Sequence, residues 1–270
     1  MQAIPKRMMA MERPKTLEES IIRAMDGSDP KLIPFLPYIL QDCWEIGSDP
    51  NAMIGLVRKH AQDHSHLRVL DLGCGKGAVS VRIAQEFKCE CFGIDAIKEF
   101  IDESNRKAKE YGVGHLCRFE VGDIRERVKS LRGFDVIILG SIGPVFGDYS
   151  QTLGSLKDCV KDNGLIIIDD GYIAHDSDYV HPLVHKRDVV CRQISDSGMK
   201  LIDEVVFDKD YIKDSDDAIY ESLKKRCLQL INKFPGKATL FTDYIKRQEE
   251  ENAVLEDQIV CAVMAIRRLS

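Results

Sequence analysis

Between residues 67 and 170 the sequence alternates short apolar runs with amphipathic stretches, and that alternation restricts the fold more than any other feature. The apolar runs fall at 67–72, 89–94, 116–121, 134–140 and 164–170, and helical spacing fills 77–87, 97–111, 124–131 and 149–162. Strands alternating with helices of this length argue for a parallel sheet covered by helices on both faces. Further helices are expected over 178–197, 215–234 and 238–251, and further strands over 200–208 and 257–268. Pro235 and Gly236 divide the two late helices.

The segment before residue 67 reads differently. Residues 1–14 look like a loose leader, with Pro5 and Pro14. A helix is expected over 16–25, with Thr16 as its N-cap and Glu18 and Glu19 in its first turn. Residues 31–45 are apolar and aromatic, but Pro34 and Pro37 shorten any helix there. Gly47 to Pro50 form a break, and 51–64 reads as a helix leading into the first strand. The expected organisation is an N-terminal helical extension over 1–50 and one domain over 51–270, interrupted by a helical insert at 209–256. A chain of 270 residues is long enough to bury a full core around such a sheet.

Composition narrows the partners. The net charge of −6 gives no basic surface to favour a nucleic acid. No apolar run reaches membrane-spanning length, so no membrane role is expected. There are nine cysteines, an odd number, with no Cys-x-x-Cys pair, which suits reduced thiols in the cytoplasm. His181 and His185 are four apart on an expected helix, but a metal needs a third ligand that the sequence does not supply, so none is expected.

The first strand ends in Val69-Leu70-Asp71-Leu72-Gly73-Cys74-Gly75-Lys76-Gly77. Strand, glycine turn, helix lets backbone approach a nucleotide-like ligand. Gly73-x-Gly75-x-x-Ala78 also satisfies the dinucleotide pattern, so a nicotinamide-dependent oxidoreductase competes at this point. The second strand ends in Gly93-Ile94-Asp95, followed by Ala96, and a carboxylate there can accept both hydroxyls of a ribose. The third ends in Gly122-Asp123-Ile124, where a carboxylate can accept from an adenine amino group and Ile124 can pack on the ring. Asp71 suits a ligand with a positively charged amine and would repel a pyrophosphate.

With these segments in order, followed by Phe134 to Ser141 and Asn163 to Asp170, the chain resembles the class I S-adenosylmethionine-dependent methyltransferase family. The resemblance implies an α/β, doubly wound, seven-stranded, mostly parallel sheet whose last strand runs antiparallel between its neighbours. It implies S-adenosyl-L-methionine as cofactor and S-adenosyl-L-homocysteine as product. It further implies that Asp71, Gly73, Cys74, Gly75 and Gly77 face the methionine part, Asp95 and Ala96 the ribose, Asp123 and Ile124 the adenine, and Gly140 and Ser141 the amino-acid end. After the fourth strand the chain has Gly140-Ser141-Ile142-Gly143-Pro144, not the Asn- or Asp-Pro-Pro-Tyr sequence of the amino-methylating DNA and protein-glutamine enzymes. That departure points to a small-molecule acceptor. A protein that binds the cofactor without transferring methyl remains the alternative from another class.

Methyl transfer from a sulfonium is an in-line displacement in which the protein aligns and desolvates the nucleophile. A general base is needed only for an acceptor that is protonated at working pH. In a parallel α/β sheet the acceptor lies outside the carboxyl ends of the strands. Asp169, Asp170, Tyr172 and His175 are therefore the acceptor-side candidates. The insert and the helices of 16–45 are expected to form a lid, with Phe35, Tyr38 and Trp44 as apolar walls; Tyr38 and Trp44 are the substrate-binding candidates.

Overall fold

The computed structural model describes residues 16–181 and 183–269, so the leader expected over 1–14 lies outside the described residues. Seven strands form one sheet: β1 (Arg68–Leu72), β2 (Glu90–Asp95), β3 (Cys117–Val121), β4 (Phe134–Gly140), β5 (Val160–Tyr172), β6 (Met199–Val206) and β7 (Val260–Arg268). Their order is β3-β2-β1-β4-β5-β7-β6. β1 to β5 pair in parallel, and β7 lies antiparallel between β5 and β6. The chain winds outward from β1 in one direction through β2 and β3 and in the other through β4 and β5. That reversal opens a crevice at the carboxyl ends of β1 and β4, where α/β folds bind ligands.

The helices are α1 (Leu17–Ala24), α2 (Leu36–Ile39), α3 (Pro50–His60), α4 (Ala78–Phe87), α5 (Lys98–Glu110), α6 (Ile124–Arg127), α7 (Tyr149–Leu156), α8 (Arg187–Asp196), α9 (Lys209–Lys233) and α10 (Ala238–Gln258). Thr16 and Glu19 close a reciprocal cap on α1. Asp49 caps α3, whose first residue is Pro50, where no N–H is needed. Strand alternation sorts the central core onto two faces. Leu70, Leu72, Ile137 and Ile166 pack on one side with α7 and α8, while Val69, Val136, Ile138 and Ile167 pack on the other with α3 and α4. Each such side chain, fully buried, contributes roughly 1.5–3 kcal/mol.

A third apolar cluster lies off the sheet. Ile22, Leu32, Leu36, Ile39 and Leu40 meet Leu223, Cys227, Leu230, Phe241 and Tyr244 of the insert, with Ile97 and Phe100 beneath. The N-terminal helices and the insert thus share one core, and the boundary near residue 50 separates segments rather than independently packed units.

Several expected boundaries move. The helix expected over 178–197 begins only at Arg187. A proline at 182 and the Asp-Ser-Asp run before it oppose helix over the first half. His181 and His185 therefore share no helix face; His181 Nδ1 instead accepts from the N–H groups of Leu183 and Val184 at 3.2 and 3.0 Å. The helix expected over 124–131 ends at Arg127, and that expected over 149–162 ends at Leu156 because β5 starts early, at Val160. The insert helices are longer than expected: α9 starts six residues earlier than 215, behind the Asp208 cap, and α10 runs on to Gln258. No described helix is long and apolar enough to cross a membrane. All nine cysteines are free thiols.

Candidate functional site

The glycine turn between β1 and α4 places three residues in left-handed backbone: φ is +74° at Gly73, +51° at Gly75 and +75° at Gly77. Only glycine takes such angles without steric cost. At Gly77 a Cβ would also lie 2.9 Å from the side chain of Ser104. At Gly75 it would meet nothing nearer than Ile46 Cδ1, at 3.8 Å, so that side of the turn is open apart from residue 46.

The N–H groups of the turn point inward. Gly73 and Cys74 donate to the Ile94 carbonyl at 2.8 and 3.1 Å, and Gly77 donates to the Cys74 carbonyl at 2.9 Å. Gly75 donates to Asp95 Oδ2 at 3.0 Å. With the N–H groups of Gly73, Cys74, Gly75 and Gly77 satisfied internally, the turn presents few free donors to a pyrophosphate. The dinucleotide reading loses its main physical support here.

Asp95 is buried at the end of β2, and its other oxygen accepts from Ile97 N–H at 2.8 Å. Burial pushes its carboxyl up to about 6, against the lowering effect of these N–H groups. A carboxylate has about four acceptor sites, so capacity remains for hydroxyl donors. Ala96, beside it, is half-buried. Asp71 is also buried; its Oδ2 accepts from Ser80 Oγ at 2.6 Å, and burial pushes it up to about 6. Cys74 is buried, and burial pushes its thiol up, which makes it inert.

Asp123 caps α6 through Arg125 N–H at 2.9 Å, and Arg125 Nη2 lies 2.7 Å from its Oδ2. Burial would raise this carboxyl, but the hydrogen bonds from Arg125 hold it below the ordinary range. Ile124 is buried in the sheet core. The glycine turn, Asp95 and Asp123 stand at the ends of three adjacent strands, β1, β2 and β3. Open space at Gly75 and carboxylates in place of a phosphate nest fit a nucleoside cofactor carrying a cationic chain.

A strap formed by residues 40–49 crosses this half of the crevice. The Lys76 ammonium, buried against it, donates to the carbonyls of Leu40 and Cys43. Ser141 Oγ donates to the Gly47 carbonyl at 2.9 Å, and a Cβ at Gly140 would lie 2.6 Å from Ser48 Oγ. Asp49 N–H donates to Asp169 Oδ2 at 3.1 Å, and Tyr211 Oη on α9 donates to the Asp49 carboxylate. One short segment therefore touches the glycine turn, the end of β4, the end of β5 and the insert. The Gly47–Pro50 break marked it in the sequence, but nothing marked where it would fold back.

Beyond Ser141 lies a cavity of about 670 Å³, counted with its open mouth. It is walled by the turn after β4, the start of α7, the end of β5 and residues 183–185. Asp169 and Asp170 line it. Tyr172 and His175 do not. Tyr172 is two residues further along β5, about 7 Å away, where Arg187 covers its ring at 5.8 Å and Glu204 accepts from its hydroxyl at 3.4 Å. His175 lies past the strand end on an exposed turn. Tyr149, Asp148 and His185 line the cavity instead. An isolated bridge between Ile173 and Lys186, with the Ile173 N–H on the His185 carbonyl at 2.9 Å, brings residue 185 back to β5.

The aromatic walls need the same correction. Phe35 packs edge-on between Phe234 and Phe241, at 5.7 and 5.0 Å, in the shared core of the lid helices. Tyr38 faces out and donates to Gln229 Oε1 at 2.7 Å on α9. Trp44 packs against Tyr111, with ring centroids 4.9 Å apart and tilted by 37°, and donates to the Lys76 carbonyl at 3.0 Å. It buttresses the glycine turn from outside. Among the described residues no group of three or more His, Cys, Asp or Glu side chains is arranged as a metal site.

Comparison with known proteins agrees with this geometry. A family profile described as a methyltransferase domain matches residues 63–225. The uncharacterized methyltransferase YcgJ of Bacillus subtilis (strain 168) is 28% identical over 138 residues, covering 50% of this chain and 54% of that protein. The ubiquinone biosynthesis O-methyltransferase of Rickettsia canadensis (strain McKiel) is 32% identical over 117 residues, 43% of this chain and 48% of that protein. The chain thus spans about half the length of these relatives. A SAM-dependent methyltransferase from Thiobacillus denitrificans, solved in complex with S-adenosyl-L-homocysteine, shares the fold with a TM-score of 0.70 at 17% identity, over 86% of this chain and 97% of that one. With the profile covering more than half of the sequence, the chain belongs to the class I S-adenosylmethionine-dependent methyltransferase family.

Proposed function

We propose that this protein transfers a methyl group from S-adenosyl-L-methionine to a small-molecule acceptor. The observation that carries the reading is a glycine turn and an open cleft on either side of Gly140 and Ser141, at the carboxyl ends of the sheet. On one side is a glycine turn with its donors satisfied internally, flanked by Asp95. On the other is a mixed apolar and carboxylate cleft that opens to solvent.

The backbone of 73–77 and Asp71 would hold the methionine part of the cofactor, Asp95 with Ala96 the ribose, Asp123 with Ile124 the adenine, and Gly140 with Ser141 the amino-acid end. When bound, the cofactor supplies an electrophilic methyl group on a good leaving group. The chain's own contribution is to align the acceptor, strip water from it and close the strap. Asp169 and Asp170 are the acceptor-side groups. The name of the Rickettsia relative, an O-methyltransferase of ubiquinone biosynthesis, supports an acceptor of small-molecule size.

Titration calorimetry with S-adenosyl-L-homocysteine and with NAD tests the cofactor. Binding of the first and no response to the second is expected; the reverse would overturn the reading. A panel of small acceptors then tests transfer, through release of S-adenosyl-L-homocysteine. Cofactor binding with no release from any acceptor would favour a binding protein over an enzyme.

A further inference from the structure

The chain turns sharply where β4 ends, and the turn holds one apolar side chain in place. Ser141 takes left-handed backbone, with φ at +52°, although it is not a glycine. Such a conformation persists only where the surroundings fix it. Two hydrogen bonds do so: Ser141 N–H donates to the Asp169 carbonyl at 3.1 Å, and Ser141 Oγ donates to the Gly47 carbonyl at 2.9 Å. Gly143 follows with φ at +62°, and Val145 N–H donates to its carbonyl at 2.9 Å. Ile142 lies between these two left-handed residues, so backbone fixed on both sides sets its direction.

That side chain stands between two parts of the crevice. A Cβ built on Gly73 would lie 2.5 Å from Ile142 Cγ2, so Ile142 touches the first glycine of the turn, and the bare backbone of Gly73 is what admits it. Ile142 also lines the cleft beyond β4, beside Leu139 and Phe146, and packs on the sheet core. At Gly75 the nearest atom to such a Cβ is Ile46 Cδ1, at 3.8 Å. The groove along the turn is thus open at Gly75 and ends at Gly73 against an isoleucine.

We propose that Ile142 is a specificity-determining residue for the cofactor: it forms the apolar end wall of the turn, against which the methionine chain of S-adenosyl-L-methionine packs, and it separates that chain from the acceptor cleft. The proposal rests on the methyltransferase reading above. The methionine chain carries methylenes between its charged end and its sulfur, and methylenes gain affinity when they leave water for an apolar surface. A nucleoside without that chain does not reach the wall and gains nothing from it. The same wall keeps water from the junction where the methyl group is handed over. Ser141 and Gly143 hold the wall without touching its apolar surface, so the side chain of residue 142 can be trimmed while the turn that carries it stays in place.

Calorimetry with S-adenosyl-L-homocysteine and with adenosine tests this, on wild type and on Ile142→Ala. The variant should cost S-adenosyl-L-homocysteine about five- to tenfold in affinity and leave adenosine within about twofold. Should adenosine bind wild type too weakly to titrate, 5′-methylthioadenosine, which keeps the sulfur and lacks the amino-acid chain, takes its place. Unchanged affinity for S-adenosyl-L-homocysteine, or an equal loss for the nucleoside, would overturn the proposal. So would tighter binding of S-adenosyl-L-homocysteine, which would make the side chain an obstruction rather than a wall. A melting cycle tests the contact without any ligand: Gly73→Ala should lower the melting temperature less in an Ile142→Ala background than in wild type, because the atom its methyl would meet is gone. The same fall in both backgrounds would also overturn the proposal. Failure of S-adenosyl-L-homocysteine to bind wild type would instead count against the underlying methyltransferase reading. Circular dichroism shows whether Ile142→Ala is folded. Should it not be, Ile142→Val provides the second variant, with a loss of about two- to threefold confined to S-adenosyl-L-homocysteine.

Discussion

The two compartments of the crevice are built from different parts of the chain. The cofactor side is mostly backbone: three left-handed glycines, inward N–H groups and one pinned carboxylate, all within residues 71–97. The proposed acceptor side is mostly side chains, and they arrive from the turn after β4, from α7, from β5 and from residues 183–185. A backbone-built site tolerates little change because its shape is its function. A side-chain-built site can be re-specified one residue at a time while the sheet beneath stays the same.

The harshest way to break that contrast is Gly77→Val. The new side chain would sit at a φ of +75° and collide with Ser104. Left-handed backbone costs about 1–2 kcal/mol and overpacking about 1–3 kcal/mol more. A fall in melting temperature and loss of measurable S-adenosyl-L-homocysteine binding are expected. Gly75→Ala shares the positive φ but meets only Ile46, so it should lower the melting temperature less. Equal losses would mean that conformation alone, and not the close approach at Ser104, governs the turn.

Asp95→Ala should separate the compartments. It strips the acceptors from Gly75 N–H and Ile97 N–H, and a roughly tenfold or greater loss of cofactor affinity is expected. Small-ligand binding in the acceptor cavity should change little. If Asp95→Ala alters both by similar factors, the two halves are one coupled unit and the contrast fails.

This contrast also explains what was legible in the sequence. The sheet and its winding could be read because alternation and glycine spacing are local, and β4 was placed to the residue at 134–140. Asp71, Asp95 and the glycines were legible for the same reason. On the acceptor side the reading failed wherever a long-range return decided the outcome. Tyr172 follows Asp170 on the same strand, yet Arg187 and Glu204 close over it. Tyr149 and His185 carry no local signal; a strand bridge at residues 173 and 186 and the packing of α7 bring them in. Trp44 and Tyr38 had the composition of a ligand wall, but one buttresses the turn and the other faces α9.

The strap couples the compartments, and Lys76→Met tests how tightly. Its ammonium holds the Leu40 and Cys43 carbonyls, and removing it leaves both without that donor, at a cost of about 1–3 kcal/mol. Faster release of S-adenosyl-L-homocysteine and faster proteolysis within residues 40–49 are expected. An unchanged release rate would mean that the strap does not cover the bound cofactor.

The smallest expected effect is on stability against pH. Burial raises Asp71 and Asp95 to about 6 and Asp169 to about 7, against an ordinary value near 4. Between about pH 4 and 7 the folded protein therefore holds more protons at these sites than the unfolded chain, so stability falls as pH rises through that window. Asp203 works in the opposite sense: hydrogen bonds from Lys59 and His60 hold it at about 2, and its contribution is lost as pH falls from about 4 towards 2. The ligand-free protein should thus melt higher near pH 5 than at pH 8. Asp169→Asn removes one of two carboxyls among the described residues raised to about 7, the other being Asp26. It should lessen the fall in stability between about pH 6 and 8, by on the order of 1–3 kcal/mol, while Asp26 keeps part of that fall. If the variant keeps the full slope up to pH 8, Asp26 on the lid side and not Asp169 at the end of β5 sets the fall near pH 7.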